Sequence, residues 1–241
     1  MQRFFLEYKN TIITYIFIHV TQFLFAGNVN TPEVNFSVDF RSMHVWRGIA
    51  TSTTPTLEPS LTFTKNNYST GIWAAQSIDG NYSEIDIYFN YDFRNFSFTV
   101  YDYYCPTSFS GNDEFTDFNE YTTKHTIELD IAFHGSPEVP FHFLIATMVY
   151  GDDKNPETLD NYYSTYFEIG YNTNIKHSNI QLFLGFNAFP GYYGEKFGVV
   201  NSGLTVINHM EINKNRTIPF QASLITNPMD QLLYLIFGFS L

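Results

Sequence analysis

The chain has 241 residues, of which 15% are charged and 19% aromatic, with 26 Phe and 18 Tyr. Acidic residues outnumber basic ones 24 to 12, a net charge of -12, and this argues against a nucleic-acid partner because phosphates favour basic surfaces. The single cysteine, Cys105, excludes an intramolecular disulfide framework and leaves no cysteine-rich zinc site. The mean hydropathy of -0.16 is ordinary, as it is for membrane β-barrels, in which only every second strand residue meets lipid.

Residues 1–27 read as a signal peptide. Arg3 and Lys9 make a basic start, Thr11 to Phe25 form an apolar run, and Ala26-Gly27 offers small residues for cleavage. The run, about 15 residues, is short for a spanning helix, and no later segment approaches the length such a helix needs. If residues 28–241 are integral to a membrane they must therefore form a barrel, because only helices and closed barrels satisfy the backbone in lipid.

From Val34 onward the chain repeats one pattern, apolar residues alternating with polar ones, which puts the two sets on opposite faces of a strand. The clearest case is Tyr82 to Pro106. Glu84, Asp86, Tyr88 and Asn90 share one face and Ile85, Ile87, Phe89 and Tyr91 the other; Arg94-Asn95 reverses the chain; Phe96, Phe98 and Val100 then continue the apolar face. Before this hairpin come Val34 to Gly48, Thr56 to Thr64 and Tyr68 to Ser77. After it come Lys124 to Phe133, Val139 to Tyr150, Tyr163 to Asn172, Asn179 to Phe189, Phe197 to Met210, Ile218 to Thr226 and Leu232 to Leu241. The reading is all-β: an antiparallel transmembrane β-barrel of about twelve strands, each about the length of a membrane strand. Tyr68, Ile218 and the stretch from Phe197 begin the segments with the weakest alternation.

The connections divide into two sets. One is short and carries Lys65, Arg94, Lys176, Lys214 and Arg216. The other holds the longest loops, Thr107–Thr122 with Asp113, Glu114, Asp117 and Glu120, and Gly151–Asn161 with Asp152, Asp153, Glu157 and Asp160. Short periplasmic turns and longer outer loops are the asymmetry expected of an outer-membrane barrel. Trp46, Tyr68, Tyr103, Tyr104, Tyr150, Tyr192 and Tyr193 near strand ends are candidates for interfacial aromatic girdles. The last strand, ending Phe-Ser-Leu, is like the terminal assembly strand of such barrels, which usually end in an aromatic residue.

Arg47-Gly48, Leu57-Glu58-Pro59-Ser60-Leu61, Gly71-Ile72-Trp73, Glu84-Ile85-Asp86-Ile87-Tyr88 and Asp102-Tyr103-Tyr104 occur here in an order that resembles the TorF-like porin family, in its versions from Bacteroidetes-type bacteria. The resemblance runs from Val34 to the end. It implies an outer-membrane barrel with solute passage and brings no substrate and no catalytic residues with it.

Charge facing lipid is costly near the bilayer midplane, so the acidic face belongs in the lumen. The expected lumen residues are Asp39, Arg41, Glu58, Glu84, Asp86, Glu128, Asp130 and Glu168, with Arg47 near the outer mouth. Carboxylates in a narrow lumen concentrate cations, giving a pore for small polar or cationic solutes. The alternative is a filled lumen in which Arg41 and Arg47 pair with acids, leaving a closed barrel whose acidic outer loops bind a partner or divalent cations. An enzyme is the third reading: no GxSxG elbow, HExxH pair or phosphate loop is present, and no catalytic residue, metal or cofactor is expected. Five NxS/T sequons, at Asn35, Asn67, Asn81, Asn95 and Asn215, read as a consequence of the high Asn content.

Overall fold

The computed structural model describes residues 31–106, 113–213 and 216–241. The expected signal peptide lies outside them. Among the described residues there is no helix. Twelve strands close into one antiparallel barrel: β1 (Glu33–Arg41), β4 (Thr56–Lys65), β5 (Tyr68–Ser77), β6 (Ser83–Phe93), β7 (Phe96–Tyr104), β8 (His125–Phe133), β9 (Phe141–Gly151), β10 (Thr165–Ile175), β11 (Ser178–Asn187), β12 (Gly198–Asn213), β13 (Arg216–Asn227) and β14 (Leu232–Ser240). Each strand pairs with its neighbours in sequence, and β14 returns to β1. The closure is short. Asp39, Phe40 and Arg41 lie opposite Ser240, Phe239 and Gly238, and the ring of Phe40 stacks on that of Phe239 at 5.2 Å. Val38 and Leu241 exchange two backbone hydrogen bonds, of 3.0 and 3.2 Å. The twelve barrel strands close into a ring, so the barrel sheet ends in no free edge strand, which removes the usual site of edge-to-edge aggregation.

The alternation in the sequence becomes two cylindrical faces. Phe36 is 65% exposed and Leu235 58%, and Phe98, Ile131, Phe143 and Leu182 are also open on the outside of the wall. The inner face is polar: Thr56, Glu58, Asp86, Ser97, Thr99 and Glu128 are buried. At one end the reversals are tight. Asn66, Arg94 and Lys176, each the first residue of its turn, take positive φ, the twist sense that suits right-handed hairpins. The long β7–β8 and β9–β10 connections lie at the other end, where the β5–β6 and β13–β14 connections are short.

One segment departs from the sequence reading. The first strand was expected to run from Val34 to Gly48, but β1 stops at Arg41. A separate two-stranded hairpin follows, β2 (His44–Trp46) paired with β3 (Ile49–Ser52). The reason is visible in the pattern. Ser42 and His44 fall at positions that would face outward, while Met43 and Val45 would face inward, so extending the strand would put the wrong residues on both faces. The turn is Arg47-Gly48, with φ of 49° and 82°. Two positive-φ residues make a type I′ turn, and glycine at the second position relieves the strain there.

The hairpin folds into the barrel. Its backbone lies so close to the opposite wall that a Cβ on Gly48 would stand 1.9 Å from the carbonyl oxygen of Val200, and Asn227 donates a hydrogen bond to the Gly48 carbonyl at 3.3 Å. The buried apolar cluster of the protein, Ala146, Met148, Tyr166, Tyr193 and Val200, packs against Trp46 and Ile49 of this hairpin.

Candidate functional site

The expected lumen residues do share the inner face, but they gather into four groups. At the base of the hairpin, Arg41 spans Asp39 and Glu58, each at 3.0 Å. Glu58 also meets Nδ1 of His44 at 2.8 Å and accepts a hydrogen bond from Thr56 at 2.7 Å. This cluster ties the hairpin to the β1–β4 wall.

At the tip, Arg47 forms a two-pronged pair with Glu128, at 2.7 and 2.9 Å, and lies 3.5 Å from Asp130. The guanidinium sits among rings, 4.6 Å from the centroid of Trp46 and 4.8 Å from that of Tyr166. Tyr103 donates to Glu128 at 2.8 Å, and Arg47 donates to the hydroxyl oxygen of Tyr193. Burial pushes the Tyr193 phenol well above its usual range although Arg47 acts the other way, so it is present as a neutral hydroxyl. Planar, delocalised arginine suits such a site better than lysine because it pairs with a carboxylate edge-on and stacks with its face. Arg47 is thus not at the outer mouth, as expected, but inside the barrel at the end of the inward hairpin.

The third group lies on β9 and β10. Glu168 takes hydrogen bonds from Tyr166 and from Asn201, and His142 stands 3.6 Å away. The His142 ring lies over Gly170, where a Cβ would come within 1.8 Å of it. The fourth group is Glu84 and Asp86 on β6. Glu84 accepts a hydrogen bond from Tyr82, but among the described residues no ion pair joins either carboxylate to a cation.

The hairpin divides the lumen. On the side of the tight turns, a cavity of about 650 Å³ is lined by Trp46, Arg47, Trp73, Glu84, Asp86, Tyr88, Tyr101, Tyr103 and Asp130. On the loop side, a smaller cavity of about 290 Å³ shares Trp46, Glu84 and Tyr103 with it and reaches Lys124, Asp152 and Tyr192. A third, of about 420 Å³, lies between the hairpin base and β11–β14.

The girdle expectation fails for several aromatics. Trp46, Tyr103 and Tyr193 point into the barrel, where Trp46 packs against both tyrosines at 5.6 and 5.7 Å. Tyr104 and Tyr150 lie beneath the β7–β8 connection, donating to the carbonyls of Asp113 and Phe118. Only polarity alternation was available to sort them, and aromatics suit both a wall and a lumen. Tyr68 does stand in an outward aromatic group, 4.9 Å from Tyr91.

The same connection covers a histidine. His125 is fully buried, with Nδ1 at 2.7 Å from Asp102 and Nε2 at 2.7 Å from the carbonyl of Phe115, and Phe118 stacks on it at 4.2 Å. Both ring nitrogens are therefore committed to holding the loop. In the β9–β10 loop, Asp153 accepts hydrogen bonds from the amide and hydroxyl of Ser164, at 2.8 and 2.7 Å; burial nonetheless pushes its carboxyl up. Among the described residues no group of acidic, histidine and cysteine side chains has the arrangement of a metal site.

No family model and no curated protein matches the chain. Among solved structures it is similar to a chain from a study described as "Unveiling the Mechanism Behind the in-meso Crystallization of Membrane Proteins". The TM-score is 0.45 at 9% identity, over 87% of this chain and 82% of that one. A likeness of that size adds nothing to the geometry, and the functional reading rests on the barrel itself.

Proposed function

We propose that the protein is a bacterial outer-membrane barrel, of the kind the TorF-like resemblance implies, that passes small polar or cationic solutes through an acidic lumen narrowed by the Arg47 hairpin. The observation that carries the reading is the inversion of the usual globular arrangement. Large apolar side chains stand open on the outside of a closed sheet while carboxylates and hydroxyls fill its interior. In water such a surface drives association; in a bilayer it is the lipid-facing wall. The strands of 9 to 16 residues are long enough to cross a hydrocarbon core when tilted. Among the motif residues behind the family resemblance, Arg47 lies on the hairpin, and Glu58, Trp73, Glu84, Asp86 and Tyr88 line its cavities.

Cation preference follows from the side chains that line the 650 Å³ cavity. Arg47 is committed to Glu128, which leaves the Glu84 and Asp86 carboxyl groups without a cationic side chain on the wall of the space a solute would occupy, where a passing cation would supply the missing charge. A second reading, a closed barrel that interacts through its surface, draws on the same hairpin, which fills part of the lumen and is anchored at both ends. The two differ in a bilayer under a salt gradient. A reversal potential of cation-favouring sign, reduced by Glu84→Gln with Asp86→Asn, supports the pore. An inserted protein whose current shows no cation preference refutes the acidic-lumen reading.

A further inference from the structure

We propose that the β5–β7 side of the lumen holds a binding site for an organic ammonium ion, with Asp86 as its counter-charge and an aromatic surround as its walls. This deepens the reading above and rests on the lumen being open to solutes.

Asp86 is 7% exposed, lines the 650 Å³ cavity, and has no hydrogen-bond partner on its Oδ1. Its acidic neighbours are Glu84, Asp102 and Glu128, and Asp130, whose own Oδ1 is also without a hydrogen-bond partner, lines the same cavity. A buried carboxyl group with no cation and an unmet acceptor is costly, and an ammonium ligand that keeps an N–H would supply both the counter-charge and the missing donor. The walls say which kind of cation. Trp73 lies directly across β5–β6 from Asp86, and Tyr103 directly across β6–β7. Tyr101 stacks on Tyr103 at 5.3 Å with planes 6° apart, and Trp46 meets Tyr103 edge-on from the hairpin at 5.6 Å. A carboxylate framed by indole and phenol rings matches an alkylated ammonium, which keeps its charge while presenting apolar surface to the rings. Small metal cations instead require a shell of converging oxygens, and no such cluster occurs among the described residues.

Both tryptophans of the chain, Trp46 and Trp73, line this cavity, so intrinsic tryptophan fluorescence of the detergent-folded protein reports on it and on the two cavities that border it, and the Asp86→Asn comparison assigns the signal to this site. The probe is trimethylammonium chloride, which keeps one N–H for the Asp86 Oδ1, with potassium chloride at matched concentration as control. The expected result is a saturable fluorescence change with trimethylammonium only. In Asp86→Asn, which keeps both tryptophans and removes the charge, the apparent affinity is expected to fall at least about tenfold. No saturable change in the wild-type protein, an equal response to potassium, or an unchanged affinity in Asp86→Asn would overturn the proposal. The readout does not depend on conduction. A protein that binds the probe yet passes no current keeps the site and loses the pore, and one that conducts without binding does the reverse.

Discussion

Replacing Arg47 with alanine is the sharpest perturbation of the hairpin. Glu128 is 0% exposed and Arg47 has a side-chain exposure of 9%, so the alanine variant leaves a carboxylate shut away from water with the tyrosine hydroxyls as its remaining donors. Breaking a buried pair from one side costs about 3–5 kcal/mol, against at most about 1 kcal/mol for an exposed pair. The rings around the guanidinium add a smaller loss. Replacing both partners, Arg47→Met with Glu128→Leu, removes the stranded charge and is expected to cost much less than Arg47→Ala alone. Urea unfolding in lipid vesicles, followed by tryptophan fluorescence, measures both. A loss below about 1 kcal/mol for Arg47→Ala would refute the reasoning, because it would mean that Glu128 finds water or another cation once the arginine is gone.

Gly48→Ala places a methyl group against the Val200 carbonyl in a residue with φ of 82°, so the hairpin tip must move; the expected readouts are lower stability and noisier current than in the wild-type protein. On the outer wall, Ile131→Arg is expected to cost about 2–4 kcal/mol of folding free energy in vesicles if it lies near the midplane, whereas Asn90→Lys, which faces the cavity, should fold and lower the preference for cations. Equal penalties for the two would contradict the assignment of inside and outside. Gly170→Val collides with the His142 ring and is expected to cost about 1–3 kcal/mol by overpacking, with Gly170→Ser affected less; an unchanged unfolding midpoint would show that His142 does not stand where Gly170 allows it.

The wall was legible because its two surroundings are so unlike. Wherever Phe, Leu and Ile alternate with Glu, Asp and Thr, as from Glu84 to Val100, only one register buries the right set, and the observed strands follow it to within a few residues. The hairpin was less legible because it is neither wall nor loop, and its residues answer to other side chains in the lumen. Two local signals mark it. Polarity inverts from Ser42 to His44, and Arg47-Gly48 supplies a residue pair able to make a tight reversed turn. The partners of Arg47, by contrast, are 81 residues away on β8, and nothing local in the sequence pairs them. The inward faces of Glu84, Asp86, Glu128, Asp130 and Glu168 could be read from parity alone. Their division into clusters that hold an arginine or a histidine and one pair, Glu84 and Asp86, that holds neither depends on which side chains the folded chain brings near, and that is a property of the closed barrel.

A pore requires that the acidic lumen be a route for ions and the hairpin its restriction. Single-channel recording in a planar bilayer compares the wild-type protein with a variant in which residues 43–53 are replaced by a short glycine-serine turn. The account expects cation-selective current from both and a larger conductance from the variant. Two folded, inserted proteins with no current, or a variant no more conductive than the wild type, would contradict it.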